Sequence, residues 1–276
     1  MIRRMRPEDI PAAMLLKQTA GWNQTEQDWA NVLALEPEGC WVYEAEGKIT
    51  GSTTAVCYGR DLAWIGMVLV LPEFRGRGFA RALMEHALRF LEQRGVRVVR
   101  LDATDMGRPL YAKLGFRDEC AIERWAAVAK PGGPQQEQGP VVDSLARFAA
   151  LDRKAFGADR SRVLDRLRSC FPEGLREERG FALARPGSGA HFLGPCVAED
   201  AATARGLIGT MLARHGGSAV FWDVLPENAE AVRMARDLGF ECKRRLIRMV
   251  LGEAAQAAVT RGETALQFAT AGFEYG

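Results

Sequence analysis

Residues 68–81 read Val68-Leu69-Val70-Leu71-Pro72-Glu73-Phe74-Arg75-Gly76-Arg77-Gly78-Phe79-Ala80-Arg81. An apolar run stops at a proline, a loop with two glycines follows, and a helix-periodic segment starts at once. The first N–H groups of a helix have no partner within it and carry partial positive charge. Glycines let an anion reach those amides without a Cβ in the way. Arg75, Arg77 and Arg81 add cations nearby, so the physical chemistry is that of a cradle for a diphosphate. The loop lacks the Gly-Lys-Ser/Thr of a Walker loop. It does not follow the first strand of a parallel unit, as a dinucleotide fingerprint would. Further on, Tyr111 stands in Leu110-Tyr111-Ala112-Lys113-Leu114-Gly115-Phe116. A phenol there can protonate a leaving group, or pack its ring and hydrogen-bond a carbonyl.

Taken together, these two segments carry a resemblance. Arg75-x-x-Gly78-x-Ala80, directly after a Val-x-Pro strand end, resembles the Q/R-x-x-G-x-G/A signature of the GNAT acyltransferase superfamily. The Tyr111 segment, a tyrosine on a short helix followed by Gly-Phe, resembles that superfamily's second hallmark. The resemblance covers about residues 2–130 and implies acetyl-CoA as cosubstrate. It implies that Val68, Leu69 and Val70 offer backbone groups to the pantetheine arm. Gly76, Arg77, Gly78, Phe79, Ala80 and Arg81, with Arg75 opening the signature, would hold the pyrophosphate. Tyr111 would sit near the thioester sulfur as the general acid, and a backbone N–H near Leu69 would face the oxyanion. The general base is not readable: the central strand holds no carboxylate. Asp61 and Asp102 are candidates, each also readable as a turn or solvated carboxylate, and a water chain is a third route.

These residues need elements to position them. Ile2–Arg6 alternates as a strand. Pro7-Glu8-Asp9 opens a helix over 8–20, and a second helix covers 26–35. Strands are expected over 41–45, 49–58 and 63–71, the last apolar on both faces and therefore central. A helix to about Arg94, with Leu83, Ala87, Phe90 and Leu91 on one face, follows the glycine loop. A strand over 96–103, a short helix over 108–114 and a strand over 116–128 complete the first half. Between the first helices, Trp22, Asn23 and Gln24 mix an aromatic wall with polar groups, which suits an acceptor pocket. Asn23 or Thr25 capping the next helix, with Trp29 inward, is the plainer reading.

Residues 131–140, rich in Pro, Gly and Gln with no apolar side chain, read as a linker. Beyond it, 141–252 lies against the first half as a worn copy. A strand over 192–198, a helix over 199–215, a strand over 219–224 and a helix over 228–238 recur in order. Leu238-Gly239-Phe240 registers with Leu114-Gly115-Phe116, and Ala235 then stands where Tyr111 does. The matching loop, Ala198-Glu199-Asp200-Ala201, has neither glycine nor arginine, and its acids would repel a pyrophosphate. Asp223 and Asn228 flank the motif-like helix as polar contacts in a cleft, Asn228 also as its N-cap. The tail, 253–276, carries aromatics that suggest docking on the body.

Composition narrows the partners. With 37 Lys and Arg against 35 Asp and Glu, the formal charge is +2, without a basic face for nucleic acid. No run approaches the ~18 apolar residues of a membrane span, and no apolar stretch follows the basic N-terminus as in a signal peptide. The six cysteines are scattered and the histidines lie in no ligand spacing, so free thiols and no metal are expected. The expectation is an α/β protein with α+β mixed sheets: two tandem GNAT-like domains, 1–130 catalytic and 141–252 without cofactor motif. It would be cytoplasmic, without membrane or nucleic-acid partners, with a homodimer allowed. Its reaction would be acetyl transfer from acetyl-CoA to a small-molecule amine by direct attack in a ternary complex. The alternatives are a non-catalytic acyl-CoA-binding or sensing protein, and a peptide or protein N-acetyltransferase.

Overall fold

The computed structural model describes residues 1–130, 145–171 and 174–276; the expected linker at 131–140 lies outside them. The first half runs β1 (Ile2–Arg4), α1 (Ile10–Thr19), α2 (Glu26–Leu35), β2 (Cys40–Ala45), β3 (Lys48–Tyr58), β4 (Leu62–Val70), α3 (Phe79–Gln93), β5 (Val98–Ala103), α4 (Arg108–Lys113) and β6 (Arg117–Val128). The second runs α5 (Ala149–Phe156), α6 (Ser161–Cys170), β7 (Gly174–Glu177), β8 (Gly180–Arg185), β9 (His191–Ala198), α7 (Ala201–Arg214), β10 (Ala219–Val224), α8 (Ala229–Asp237) and β11 (Glu241–Leu251). The tail adds α9 (Ala254–Val259) and β12 (Gln267–Ala269).

Local chemistry explains the element starts that matter. Thr25 accepts from Asp28 N–H while Asp28 accepts from Thr25 N–H, a reciprocal cap that fixes α2. Trp29 is fully buried from its first turn. Asn228 accepts from Ala231 N–H and caps α8. Asp200 does the same for α7 through Thr203 N–H. At α3 the cap is Gly78, in the left-handed region at φ 81°, with no side-chain capping bond. Leu83, Met84, Ala87 and Leu91 bury the inner face of α3 against the sheet.

Among the described residues, twelve strands form one sheet in the order β1-β2-β3-β4-β5-β11-β6-β10-β9-β8-β7, with β12 paired to β9. The order shows a reciprocal exchange. In the first half, β11 from the far end of the chain lies between β5 and β6. In the second half, β6 lies between β10 and β11. Each half therefore supplies the strand that completes the other's sheet. Read separately, the sequence spans 1–130 and 141–252 do not convey this exchange.

Two parallel pairs stand at equivalent places. β4 pairs β5 only at Leu62–Trp64 with Val98–Arg100, and β9 pairs β10 only at His191–Leu193 with Val220–Trp222. Beyond these short registers the strands part, leaving two V-shaped openings. The second opening is filled by the protein itself. β12 pairs antiparallel with β9 at Val197 and Cys196. On its other side, Trp222 Nε1 donates to Phe268 O at 2.7 Å and Thr270 N–H donates to Asp223 O at 3.0 Å. The chain then crosses to the first half, where Trp64 Nε1 donates to Phe273 O and the Tyr58 hydroxyl donates to Tyr275 O. The tail is packed throughout this crossing, with Phe268 and Tyr275 buried.

Candidate active site

The first opening collects the chemistry. Beyond Trp64, the register of β4 against β3 slips between Thr54↔Gly66 and Ser52↔Leu69, so Met67 and Val68 together face Thr53. This is a bulge, and Met67 takes φ 51° to make it. A non-glycine residue there is strained by about 1–2 kcal/mol. Ser52 Oγ donates to Met67 O at 2.8 Å and helps hold the kink. The bulge falls where β4 no longer pairs β5, so this stretch of β4 has no ladder partner on the β5 side and an extended ligand can lie there as an added strand. Val68, Leu69 and Val70 follow on that edge, Leu69 buried and its neighbours half-buried.

At the end of β4 the glycine loop leads into α3. Gly76 and Gly78 take φ 75° and 81°. A Cβ on either would meet no protein atom within 4 Å, so both leave open space beside the amides. The first α3 bond is Ala82 N–H to Gly78 O, which leaves the amides of Phe79, Ala80 and Arg81 ahead of the helical ladder. Arg75 Nε donates to Val70 O at 3.1 Å and ties the loop to the strand. Arg77 lies over the Phe74 ring at 4.7 Å and pairs with Glu46. Arg81 pairs with Glu85 one turn on. These surface pairs are weak and solvent-screened, so the guanidiniums can exchange partners for a phosphate. The residues fit a diphosphate: free helical amides, two glycines without steric cover, and exposed guanidiniums nearby. The equivalent helix start in the second half is closed to one. Asp200 caps α7, and Arg179 pairs with both Glu199 and Asp200.

Tyr111 lies on α4, whose N-terminal Gly107 is pressed against the tyrosine ring; a Cβ there would come within 2.8 Å of it. Tyr111 is 8 % exposed. Burial pushes its phenol well above the ordinary tyrosine range, so it stays a proton donor at neutral pH. It lines a cavity of about 60 Å³ together with Ile65 to Val68 from the bulge, Asp102, Trp22, Gln24 and Glu274.

The other expected site residues divide. Trp22 and Gln24 reach this cavity. Asn23 is not among its lining residues. Its amide donates to Ala190 O at 2.9 Å and accepts from the Gly189 and Ala190 N–H groups, clamping the β8–β9 connection. That role is joining the two halves, a contact no local pattern could disclose. Asp61 is exposed at the far end of β4, paired with Arg97. Asp102 is neither a turn nor a solvated carboxylate. Its side chain is fully buried, and Arg248 from the exchanged strand β11 donates to both oxygens, at 2.9 and 3.3 Å. Burial pushes this carboxyl up while Arg248 opposes the shift. Asp223 likewise pairs deep in the sheet with Arg124, at 2.7 and 2.6 Å. Glu274 went unread in the sequence. Its flanking aromatics, Phe273 and Tyr275, were the available sign that this acid is carried inward.

No group of His, Cys, Asp and Glu suited to a metal occurs among the described residues. All six cysteines are free thiols. Among the described residues, no helix is long and apolar enough to cross a membrane.

The fold agrees with that of relatives. Residues 8–116 match the acetyltransferase (GNAT) family profile, and residues 148–261 match an acetyltransferase (GNAT) domain profile. An uncharacterised N-acetyltransferase of Methanocaldococcus jannaschii is 31% identical over 104 residues, 34% of this chain and 46% of that protein. An uncharacterised N-acetyltransferase of Bacillus subtilis is 24% identical over 174 residues, 62% of this chain and 61% of that protein. The chain thus spans about half to three-fifths of these curated relatives. A crystal structure from Pyrococcus horikoshii, of a protein provisionally named an acetyltransferase, superposes with a TM-score of 0.86 at 22% identity. The match covers 100% of this chain and 95% of that one, and at this identity it speaks for the fold alone. The two profile matches on successive halves, laid over one mixed sheet with two equivalent openings, place the chain in the GNAT acetyltransferase family as a tandem of two such domains.

Proposed function

We propose that the first half transfers an acetyl group from acetyl-CoA to the amine of a small molecule, by direct attack in a ternary complex. The observation that carries this reading is a single juxtaposition. The buried phenol of Tyr111 lines the cavity at the β4 bulge, and β4 runs on from that bulge into the open amide turn that starts α3. The diphosphate would rest on the amides of Gly76 to Arg81. The pantetheine arm would lie along Val68 to Val70, bringing the thioester to the bulge. As the amine attacks, a bulge N–H stabilises the carbonyl oxygen and Tyr111 protonates the departing sulfur. The cavity, about 60 Å³, leaves room for only a few water-sized groups. That size supports a compact acceptor end.

The test is thiol release from acetyl-CoA with a panel of primary amines: n-butylamine, ethanolamine, spermidine, glucosamine, lysine and a tripeptide. Amine-dependent release with a small molecule and formation of the matching amide is expected. Coenzyme A binding without turnover across the panel would overturn the enzymatic reading. Turnover with the tripeptide alone would move the acceptor class to peptides.

A further inference from the structure

The reaction needs a proton acceptor for the incoming amine, and β4 offers no carboxylate. The tail offers one. Resting on the acetyltransferase reading above, we propose that Glu274 takes the proton from the acceptor ammonium while Gln24 accepts a second N–H of the same nitrogen.

The placement comes from packing. A Cβ on Gly66 would sit 3.0 Å from the Glu274 Cα, so the tail lies directly against the bulge. Glu274 lines the same cavity as Tyr111. Its residue is 2 % exposed, which shields it from bulk water. Gln24 Nε2 donates to Glu274 Oε2 at 2.9 Å. That bond fixes the amide's orientation and leaves Gln24 Oε1 buried with no hydrogen-bond partner. A buried oxygen without a donor destabilises a fold unless something fills it. An ammonium, with its N–H groups in three directions, satisfies Gln24 Oε1 and the Glu274 carboxylate together.

The charges facing Glu274 agree with this. Arg185 donates to Glu274 Oε1 at 2.7 Å and to Asp28 Oδ1 at 3.1 Å, so one guanidinium serves two buried carboxylates. Lys17, buried beside Asp28, donates to Ser188 Oγ. Arg124 lies over the Phe273 ring at 4.3 Å but is held by Asp223. The Tyr275 phenol is kept neutral by burial. Across the cavity, Asp102 is fully engaged by Arg248, while Arg244 from β11 lines the wall. Burial pushes Glu274 up and Asp28 adds to the shift, while Arg185 opposes it. A carboxylate raised in this way is a better match for an amine proton than a solvated one.

The proton balance closes. One N–H proton passes from the ammonium to Glu274, freeing the lone pair. The N–C bond forms and the carbonyl π pair moves to oxygen. On collapse the C–S bond breaks, the sulfur takes the Tyr111 proton, and the second nitrogen proton restores Tyr111. Glu274 releases its proton to solvent when the product leaves.

The experiment compares wild type, Glu274→Gln and Glu274→Asp. It measures turnover with the panel amines across pH, calorimetric affinity of the protein alone for n-butylamine, and coenzyme A affinity. Glu274→Gln keeps a hydrogen-bonding side chain of the same size. It is expected to lower kcat/KM about 10²-fold or more, to abolish the acidic limb of the pH profile, and to weaken n-butylamine binding with coenzyme A affinity intact. Glu274→Asp should recover part of the rate and the limb. Active wild type with Glu274→Gln within twofold of it, and an unchanged pH profile, overturns the assignment and leaves the acetyltransferase reading standing. Equal losses in both variants, with coenzyme A affinity falling in parallel, also overturn it, because Glu274 is then only a packing group. A wild type that releases no thiol with any amine removes both readings.

Discussion

Gly78 offers a clean separation of backbone strain from ligand contact. It caps α3 at φ 81°, and a Cβ there meets no protein atom within 4 Å. Alanine at this position pays only the left-handed penalty, about 1–2 kcal/mol; valine, being β-branched, pays somewhat more. For a chain of this size that is a melting shift of about 2–4 °C per kcal/mol. The open space, however, is where a diphosphate would approach the amides. Losing one charge-assisted hydrogen bond costs about 1.5–3 kcal/mol, or roughly ten- to a hundred-fold in affinity. The protein supplies its own control. Gly239, after α8 in the second half, has φ 83° and equally empty surroundings. Calorimetry with coenzyme A, alongside thermal melts, is expected to show both Gly78→Val and Gly239→Val destabilised, with affinity lost only in the first. If Gly78→Val binds coenzyme A as tightly as wild type, or if the two variants lose affinity equally, the cradle argument is wrong.

Other consequences are as direct. Tyr111→Phe should cut turnover by about 10²-fold or more while coenzyme A affinity holds, as single-turnover kinetics can check; unchanged turnover would make Tyr111 a packing residue. Arg248→Met strands the buried Asp102 carboxylate and should cost about 3–5 kcal/mol in urea unfolding. Adding Asp102→Leu should restore much of that loss, and a single variant as stable as wild type would show the pair to be solvated. Because β12 already fills the opening of the second half, coenzyme A should titrate to one equivalent per chain; a second equivalent would mean that the tail can be displaced.

What the sequence disclosed follows what is local. Helix α2 was legible to the residue, since its cap and apolar spacing lie within the helix itself. The glycine turn ahead of α3 and the short helix that carries Tyr111 were legible as local structure because both segments are short and contiguous. The bulge at Met67 left no trace, since a slip in register depends on the partner strand. The β6–β11 exchange was hidden for a like reason: alternation marks a strand but not its neighbour. Asp102, open to reading as a base or as a solvated carboxylate, proved to be neither free nor solvated because its partner, Arg248, sits on β11. Glu274 was missed because only the tail's path across both halves brings it to the bulge. Asn23 looked like an acceptor-pocket residue because its partners, Gly189 and Ala190, belong to the other half.

The exchange of β6 and β11 also governs how the protein can come into being. When residues 1–130 leave the ribosome, β5 has no neighbour on one side, and the strand that must fill that place, Glu241–Leu251, has yet to be translated. An open strand edge of that kind invites pairing with the wrong chain. Closure of the β5 edge must therefore wait until Glu241–Leu251 has been made. The first half alone would be a poor unit to express, and the sheet beside β5 would be complete only once β11 has joined it.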